Sequence, residues 1–359
     1  MLTYIAIAVA LFFAMNIGAS GTAASMGAPY GADAIKSKPL ALLLVAVSAF
    51  LGAVLGGGEV VKTIGNGIIP ADILSVQIVI IILVGATFTL FLANLLGIPL
   101  STSEVTVGSI VGVGIAYQAV YTDKIFFIMI FWVIVPLVSF LITFLLGKII
   151  IRCEKRWPLL VGKGPWMKWL ALLLVIGGCL EAFSAGMNNV ANAIGPLVGA
   201  EMISANKGIL IGALFTSIGA LLLGSRVLET NGKKITKMSL LQGSSVSFTG
   251  GTLVIIASVF GLPIPLTQVT TCGILGIGTA KDGIATLQKD VIKRIAMVWL
   301  VSPVASLVVA YFLINIFVKF NGYNVLIIAS TLIFALGSIK LSQIVRKEKR
   351  SIYDNGGGI

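Results

Sequence analysis

Two stretches of the 359-residue chain carry small and neutral polar side chains between long apolar runs. The first reads Asn16-Ile17-Gly18-Ala19-Ser20-Gly21-Thr22-Ala23-Ala24-Ser25-Met26-Gly27, the second Ser184-Ala185-Gly186-Met187-Asn188-Asn189-Val190-Ala191-Asn192-Ala193-Ile194-Gly195. Gly18, Ala23 and Gly27 match Gly186, Ala191 and Gly195, each 168 residues on. A second block is duplicated at an offset of 164: Gly97 to Thr106 matches Gly261 to Thr270, and Gly112 and Gly114 match Gly276 and Gly278. In this block a proline precedes Ser and Thr residues and an apolar stretch follows, which predicts a helix N-terminus. Free N–H groups and the positive end of a helix dipole there favour an anion. Ser101, Thr102, Ser103 and Thr267 add hydroxyls, and the first block adds Ser20, Thr22, Asn188, Asn189 and Asn192. The chemistry within reach is a neutral, donor-rich grip on a small oxyanion, since none of the repeated blocks contains Lys or Arg. Gly, Ala and Ser at such spacing also pack helices closely with no further role, but polar residues recurring at matched places in both halves favour a site.

Two carboxylates fall inside apolar segments. Glu104 follows Ser101-Thr102-Ser103, and Glu181 lies three residues before Ser184. A charge within a bilayer costs several kcal/mol or more, so such residues are functional candidates. Either could carry a coupling proton or help hold a cation, or sit solvated at an interface. Glu59, Asp123, Glu201 and Asp282 read as surface charges in loops. The run from Ser244 to Thr249 could line a pathway, or its hydroxyls could bond back within a helix.

The elements that must position these residues are membrane helices. The chain is 58 % hydrophobic and 11 % charged, with a mean hydropathy of +1.08. Runs of roughly 20 apolar residues recur, which predicts an all-α, polytopic membrane protein. They lie at about 1–27, 39–56, 73–96, 103–120, 125–149, 168–199, 208–225, 246–260, 264–280, 295–318 and 323–341. The expected organisation is a first repeat over 1–150, a cytoplasmic linker over 151–168, a second repeat over 169–320, and an additional helix with a cytoplasmic tail over 321–359. Trp157, Trp166 and Trp169 mark the membrane interface around the linker. If each run crosses once, 21 of the 25 Lys and Arg residues collect on one side, leaving only Lys62, Lys124, Lys207 and Lys319 on the other. The positive-inside rule then puts the N-terminus outside and the linker and C-terminus in the cytoplasm. The same distribution removes nucleic acid as the reason for a net charge of +12. Five runs per half is odd, so the repeats are expected to be inverted, with discontinuous helices or re-entrant hairpins among about 11 membrane segments. Cys153, Cys179 and Cys272 are scattered and read as free thiols, and the chain has no histidine. No metal site, cofactor, nucleotide loop or catalytic triad is legible, so an enzyme is not expected.

Gly186-Met187-Asn188-Asn189-Val190-Ala191-Asn192-Ala193 resembles the GANDVANA signature of the inorganic phosphate transporter (PiT) family, and Gly18 to Ser25 resembles a degenerate first copy. Pro99 to Glu104 is similar to the family's P-x-S-T-T-H block, and Pro263 to Gln268 to its second copy. The resemblance covers nearly the whole chain. It implies an inverted-repeat symporter, usually dimeric, that moves phosphate with sodium or protons across the cell membrane. The departures are specific. Gly21 and Asn189 replace the signature aspartates, Ala24 replaces an asparagine, and Glu104 and Gln268 stand where the family has histidine. Phosphate near neutral pH can donate a hydrogen bond to a carboxylate; sulfate only accepts, so its site should offer donors and avoid an ionised carboxylate. The pattern resembles the sulfate permease branch of the family. The expectation is therefore a proton-coupled sulfate symporter. Ser20, Thr22, Ser101, Thr102, Ser103, Asn188, Asn189 and Thr267 would surround the anion, and Glu104, Glu181, Asn192 and Gln268 would serve coupling. A sodium- or proton-coupled phosphate symporter is the alternative within transporters. An oxyanion channel is the alternative of another class, and it would conduct without concentrating its ion.

Overall fold

The computed structural model describes residues 1–95, 100–161, 166–235, 238–283 and 289–326. Among them the regular structure is helical: α1 (Leu2–Ile17), α2 (Gly27–Gly31), α3 (Lys38–Gly56), α4 (Gly58–Asn66), α5 (Val76–Leu95), α6 (Thr102–Tyr117), α7 (Thr122–Arg156), α8 (Met167–Gly199), α9 (Ala205–Leu223), α10 (Ser225–Ile235), α11 (Leu240–Val259), α12 (Leu266–Asp282) and α13 (Lys289–Phe317). Eight helices among the described residues are long and apolar enough to cross a membrane. Ten of the eleven apolar runs coincide with helices; all but the first few residues of the run at 323–341, and the C-terminal tail, lie outside the described residues.

Discontinuous helices are present as expected. α6 and α12 have 16 and 17 residues, about 25 Å of helix, short of the ~30 Å hydrocarbon core. They are half-helices that begin within the bundle, so they count among the membrane segments without being full crossings. α4 and α10 were not expected at all. They are short and two-sided, with Val60, Val61 and Ile64 of α4 buried, and a search for apolar runs passes over them. Glu59 accordingly sits in the first turn of α4, ion-paired to Lys62 at 2.6 Å, and not in a loop. Finally, only the first copy of the duplicated motif is broken. Gly18–Thr22 is a π-helical turn and Ala23–Met26 a 3-10 turn, with Ser20 Oγ donating to Asn16 O at 2.8 Å. The second copy runs unbroken through α8. Back-bonding hydroxyls and two glycines within four residues loosen the first copy; Asn, Val and Ala keep the second helical.

The halves hold each other by carbonyl-to-glycine contacts that come in matched pairs. A Cβ on Gly18 of the π-helical turn would lie 1.8 Å from Thr216 O of α9, and one on Gly186 of α8 would lie 1.9 Å from Ala49 O of α3. Gly219 of α9 meets Met15 O as Gly52 of α3 meets Phe183 O. The matched partners are again 167 or 168 residues apart. The half-helices follow the same rule: Gly112 of α6 abuts Leu307 O of α13, and Gly276 of α12 abuts Phe140 O of α7. The long helices carry matched prolines, Pro136 and Pro303. Each half-helix is thus seated on a long helix of the other half. Small residues permit this approach where lipid provides no hydrophobic drive between helices.

Gly186→Val should therefore lower stability by about 1–3 kcal/mol or rearrange the packing, read as a fall in the thermal unfolding midpoint in detergent. Gly58→Ala, which meets nothing within 4 Å, should leave the midpoint within a degree or two.

Candidate anion-binding site

The two half-helices point their N-termini at one small cavity. It is lined by Leu100, Ser101 and Thr102 at the start of α6, by Leu266 and Thr267 at the start of α12, by Asn189 of α8, and by Gly21 of the π-helical turn. Ser101 is the N-cap of α6, its Oγ accepting from Glu104 N at 3.5 Å. Thr102 Oγ1 donates to Asn189 Oδ1 at 3.2 Å. That bond turns the Asn189 amide nitrogen toward Gly21, where a Cβ would sit 3.9 Å away. The cavity therefore offers the Asn189 amide, the hydroxyls of Ser101 and Thr267 and two helix N-termini, with the Thr102 O–H given to Asn189, and no carboxylate among its described lining.

The expected anion set divides. Ser101, Thr102, Asn189 and Thr267 line the cavity. Asn188 and Ser103 stand behind it, fully buried. Asn188 Nδ2 donates to Ser258 Oγ and to Leu262 O, each at 2.8 Å. Its Oδ1 accepts from Ile264 N at 3.1 Å and Ser103 Oγ at 3.3 Å. An asparagine amide has two donors and two lone pairs, so nothing on Asn188 is left for an anion. Ser20 and Thr22 turn back onto their own helix, Thr22 Oγ1 donating to Ile17 O at 3.4 Å, and neither lines the cavity.

The coupling set divides too. Asn192 Nδ2 donates to Ser103 Oγ at 3.2 Å and Thr102 Oγ1 at 3.4 Å, bracing the start of α6. Gln268 Nε2 donates to Glu104 Oε1. These two residues are equivalents in the duplicated block, so α6 and α12 meet there through matched positions. Glu104 Oε2, Gln268 Oε1 and Ser302 Oγ are buried without a hydrogen bond of ordinary geometry, although the Ser302 hydroxyl faces the Glu104 carboxyl. Glu181 is elsewhere, in a separate cavity, accepting from Thr270 Oγ1 at 2.7 Å.

The sequence reading missed Gly21, Leu100, Leu266 and Ser302. Gly21 was findable as the repeat partner of Asn189, and Leu100 and Leu266 as neighbours of Ser101 and Thr267. Ser302 carries no signal, lying in neither repeated block.

Paired half-helix N-termini buried among membrane spans around a charge-free donor cavity define a multi-pass membrane transporter. The comparisons with known proteins agree. The Phosphate transporter family profile matches residues 17–310, and the chain belongs to that family. It is 52 % identical over 354 residues, 99 % of each chain, to the sulfate permease CysP of Bacillus subtilis. It is 30 % identical over 388 residues to a putative phosphate permease of Pyrococcus furiosus, covering 85 % of this chain and 94 % of that one. A solved structure described as the sodium-dependent phosphate transporter superposes with a TM-score of 0.76 at 24 % identity, covering 88 % of this chain and all of the other.

The two neighbouring asparagines should separate by stability. Asn188→Ala orphans three buried groups, on Ser258, Leu262 and Ile264, while Ser103 keeps Ile264 O and Asn192; at about 1–3 kcal/mol each before relaxation, a loss above about 2 kcal/mol is expected in chemical or thermal unfolding. Asn189→Ala breaks one bond and should cost under about 1 kcal/mol. Equal losses would contradict the assignment of a clamp to one and a ligand-facing role to the other.

Proposed function

We propose that the chain is a secondary active symporter that imports inorganic sulfate across the cytoplasmic membrane, with a proton as the coupling ion. The observation that carries this reading is the carboxylate-free lining of the cavity: Ser101, Thr102, Asn189 and Thr267 face it, and no carboxylate does among its described residues. Sulfate accepts hydrogen bonds and donates none, whereas hydrogen phosphate gains from a carboxylate acceptor, which this lining does not offer. The 52 % identity to a sulfate permease supports the same choice. In both halves the signature aspartate of the family is absent, as Gly21 and Asn189. The positive-inside distribution supports an outside N-terminus and a cytoplasmic linker. The matched glycine contacts support two inverted repeats, and the family resemblance supports a homodimer.

Glu104 suits the coupling role. It is buried in the first turn of α6, beside Ser101 and Thr102 in the chain, where Gln268 donates to its carboxyl and the Ser302 hydroxyl faces it. Two unit charges about 5 Å apart repel by ~3 kcal/mol at an effective dielectric near 20, and a dianion doubles that. Occupancy of the cavity and a proton on Glu104 therefore favour each other, which ties one proton to each inward passage. Asn192 and Gln268 hold the two half-helix starts in place while this happens.

Uptake of [35S]sulfate into proteoliposomes tests the reading. An inward proton gradient should drive accumulation without sodium, and a hundredfold excess of phosphate should leave it largely intact. Glu104→Gln should abolish gradient-driven accumulation while keeping sulfate exchange. Phosphate accumulation that sulfate does not inhibit, or conductance without accumulation, would overturn the assignment.

A further inference from the structure

A second cavity lies further along the same interface. Ser25 of the 3-10 turn, Glu181 of α8, Gly243 and Ser247 of α11, Thr270 of α12 and Met238 of the α10–α11 connection line it. Three of the four elements that meet at the anion cavity reappear, and α6 does not. The broken first helix contributes Gly21 to one cavity and Ser25 to the other. α12 contributes Thr267 and then Thr270, and α8 contributes Asn189 and then Glu181. The displacements are about 5 Å, or one turn, on the first two elements and about 12 Å on α8. They share a direction. The first helix and α12 are followed toward their C-terminal ends and α8 toward its N-terminal end. That end of the bundle carries Lys36, Lys38, Lys168 and Lys281, on the lysine-rich side.

The cavity is polar at its centre. Glu181 Oε1 accepts from Thr270 Oγ1 at 2.7 Å, and the Ser247 hydroxyl faces the same carboxyl. Ser25 Oγ, on a residue only 2 % exposed, has no hydrogen-bond partner, although it lines this cavity. A buried hydroxyl without a partner is unfavourable unless a guest satisfies it. Glu181 is the one titratable side chain in the described lining: the first helix, α11, α12 and the α10–α11 connection present only neutral residues. At the mouth, Glu154 of α7 accepts from Ser239 Oγ and from Gln242 Nε2, fastening α7 to the start of α11.

We propose that this second cavity is the inner leg of the anion's route and that Glu181 is its gate, barring the dianion when ionised and passing it when protonated. The proposal rests on the reading of the chain as an anion transporter. The gating proton comes from water at the inner end. One O–H bond forms on the Glu181 carboxylate, and it breaks to return the proton to the same water after the anion has left unchanged. Gating by Glu181 is therefore separate from coupling through Glu104, and it responds to inner pH alone. Ser25, Ser247 and Thr270 offer hydroxyls to the passing anion.

Two measurements test it. In the first, Ser247→Cys is placed in a chain whose Cys153, Cys179 and Cys272 are replaced by serine, and a membrane-impermeant methanethiosulfonate is applied from each face of oriented vesicles. Modification from the inner face that blocks transport is expected. An active variant that resists the reagent from that face overturns the route. In the second, sulfate exchange is followed in Glu104→Gln at fixed outer pH while the inner pH rises from 6 to 8. The rate should fall at least fivefold, and adding Glu181→Gln should flatten the dependence. An unchanged fall in the double variant, or a rate set by inner sodium and not by pH, overturns the gate. Absence of sulfate exchange in the native chain would defeat the sulfate reading, and the labelling result would still decide whether the cavity is a route.

Discussion

The side chain of Asn188 joins three helix ends at one point. Its two donors reach Ser258 and Leu262 at the end of α11, and its two lone pairs take Ser103 of α6 and the backbone N–H of Ile264 just before α12. These groups are buried where lipid and neighbouring helices offer no water, so those of Ser258, Leu262 and Ile264 would otherwise go unpaired; Ser103 also bonds Ile264 O and Asn192. The residue that satisfies them sits on α8, whose stretch from Ala185 to Leu197 is buried throughout. The starts of α6 and α12 are therefore fixed against the same rigid helix. Their N-terminal dipoles converge where this amide, together with Asn192 and the Gln268–Glu104 bond, ties the two starts to each other and to α8.

Around that point the two halves are exchanged. α6 lies on α13 and α12 on α7, each through a glycine pressed to a carbonyl. Residues equivalent in the repeats consequently face each other near the centre: Gly21 opposite Asn189, and Glu104 bonded to Gln268. Substitutions that differ between the copies then have a direct effect. One member of the central pair is ionisable and the other is not. One member of the cavity pair supplies an amide and the other supplies only space. Symmetry builds the site, and departures from symmetry leave it a single ionisable residue on one side of the central pair.

Much of this was legible in the chain. The duplicated blocks and their constant offsets pointed to two copies, and proline ahead of Ser and Thr marked the half-helix starts. What stayed hidden was hidden for physical reasons. The small amphipathic helices α4 and α10 have no apolar run to announce them. Asn188 and Asn189 are adjacent in sequence and alike in chemistry, but about 100° apart around a helix, so one clamps the protein and the other faces the cavity. Glu181 lies close to the motif in sequence, yet it is two turns down α8 from Asn189 and enters a different cavity. The unwinding of Gly18–Met26, absent from the matching stretch of α8, depends on back-bonding that composition alone does not determine.

The most direct test is a structure with selenate, a heavier isostere of sulfate, located by its anomalous signal. The account predicts one strong peak between the starts of α6 and α12, within hydrogen-bond distance of Asn189 Nδ2 and of the hydroxyls of Ser101, Thr102 and Thr267. A saturating selenate complex whose peak lies away from both half-helix starts would contradict it.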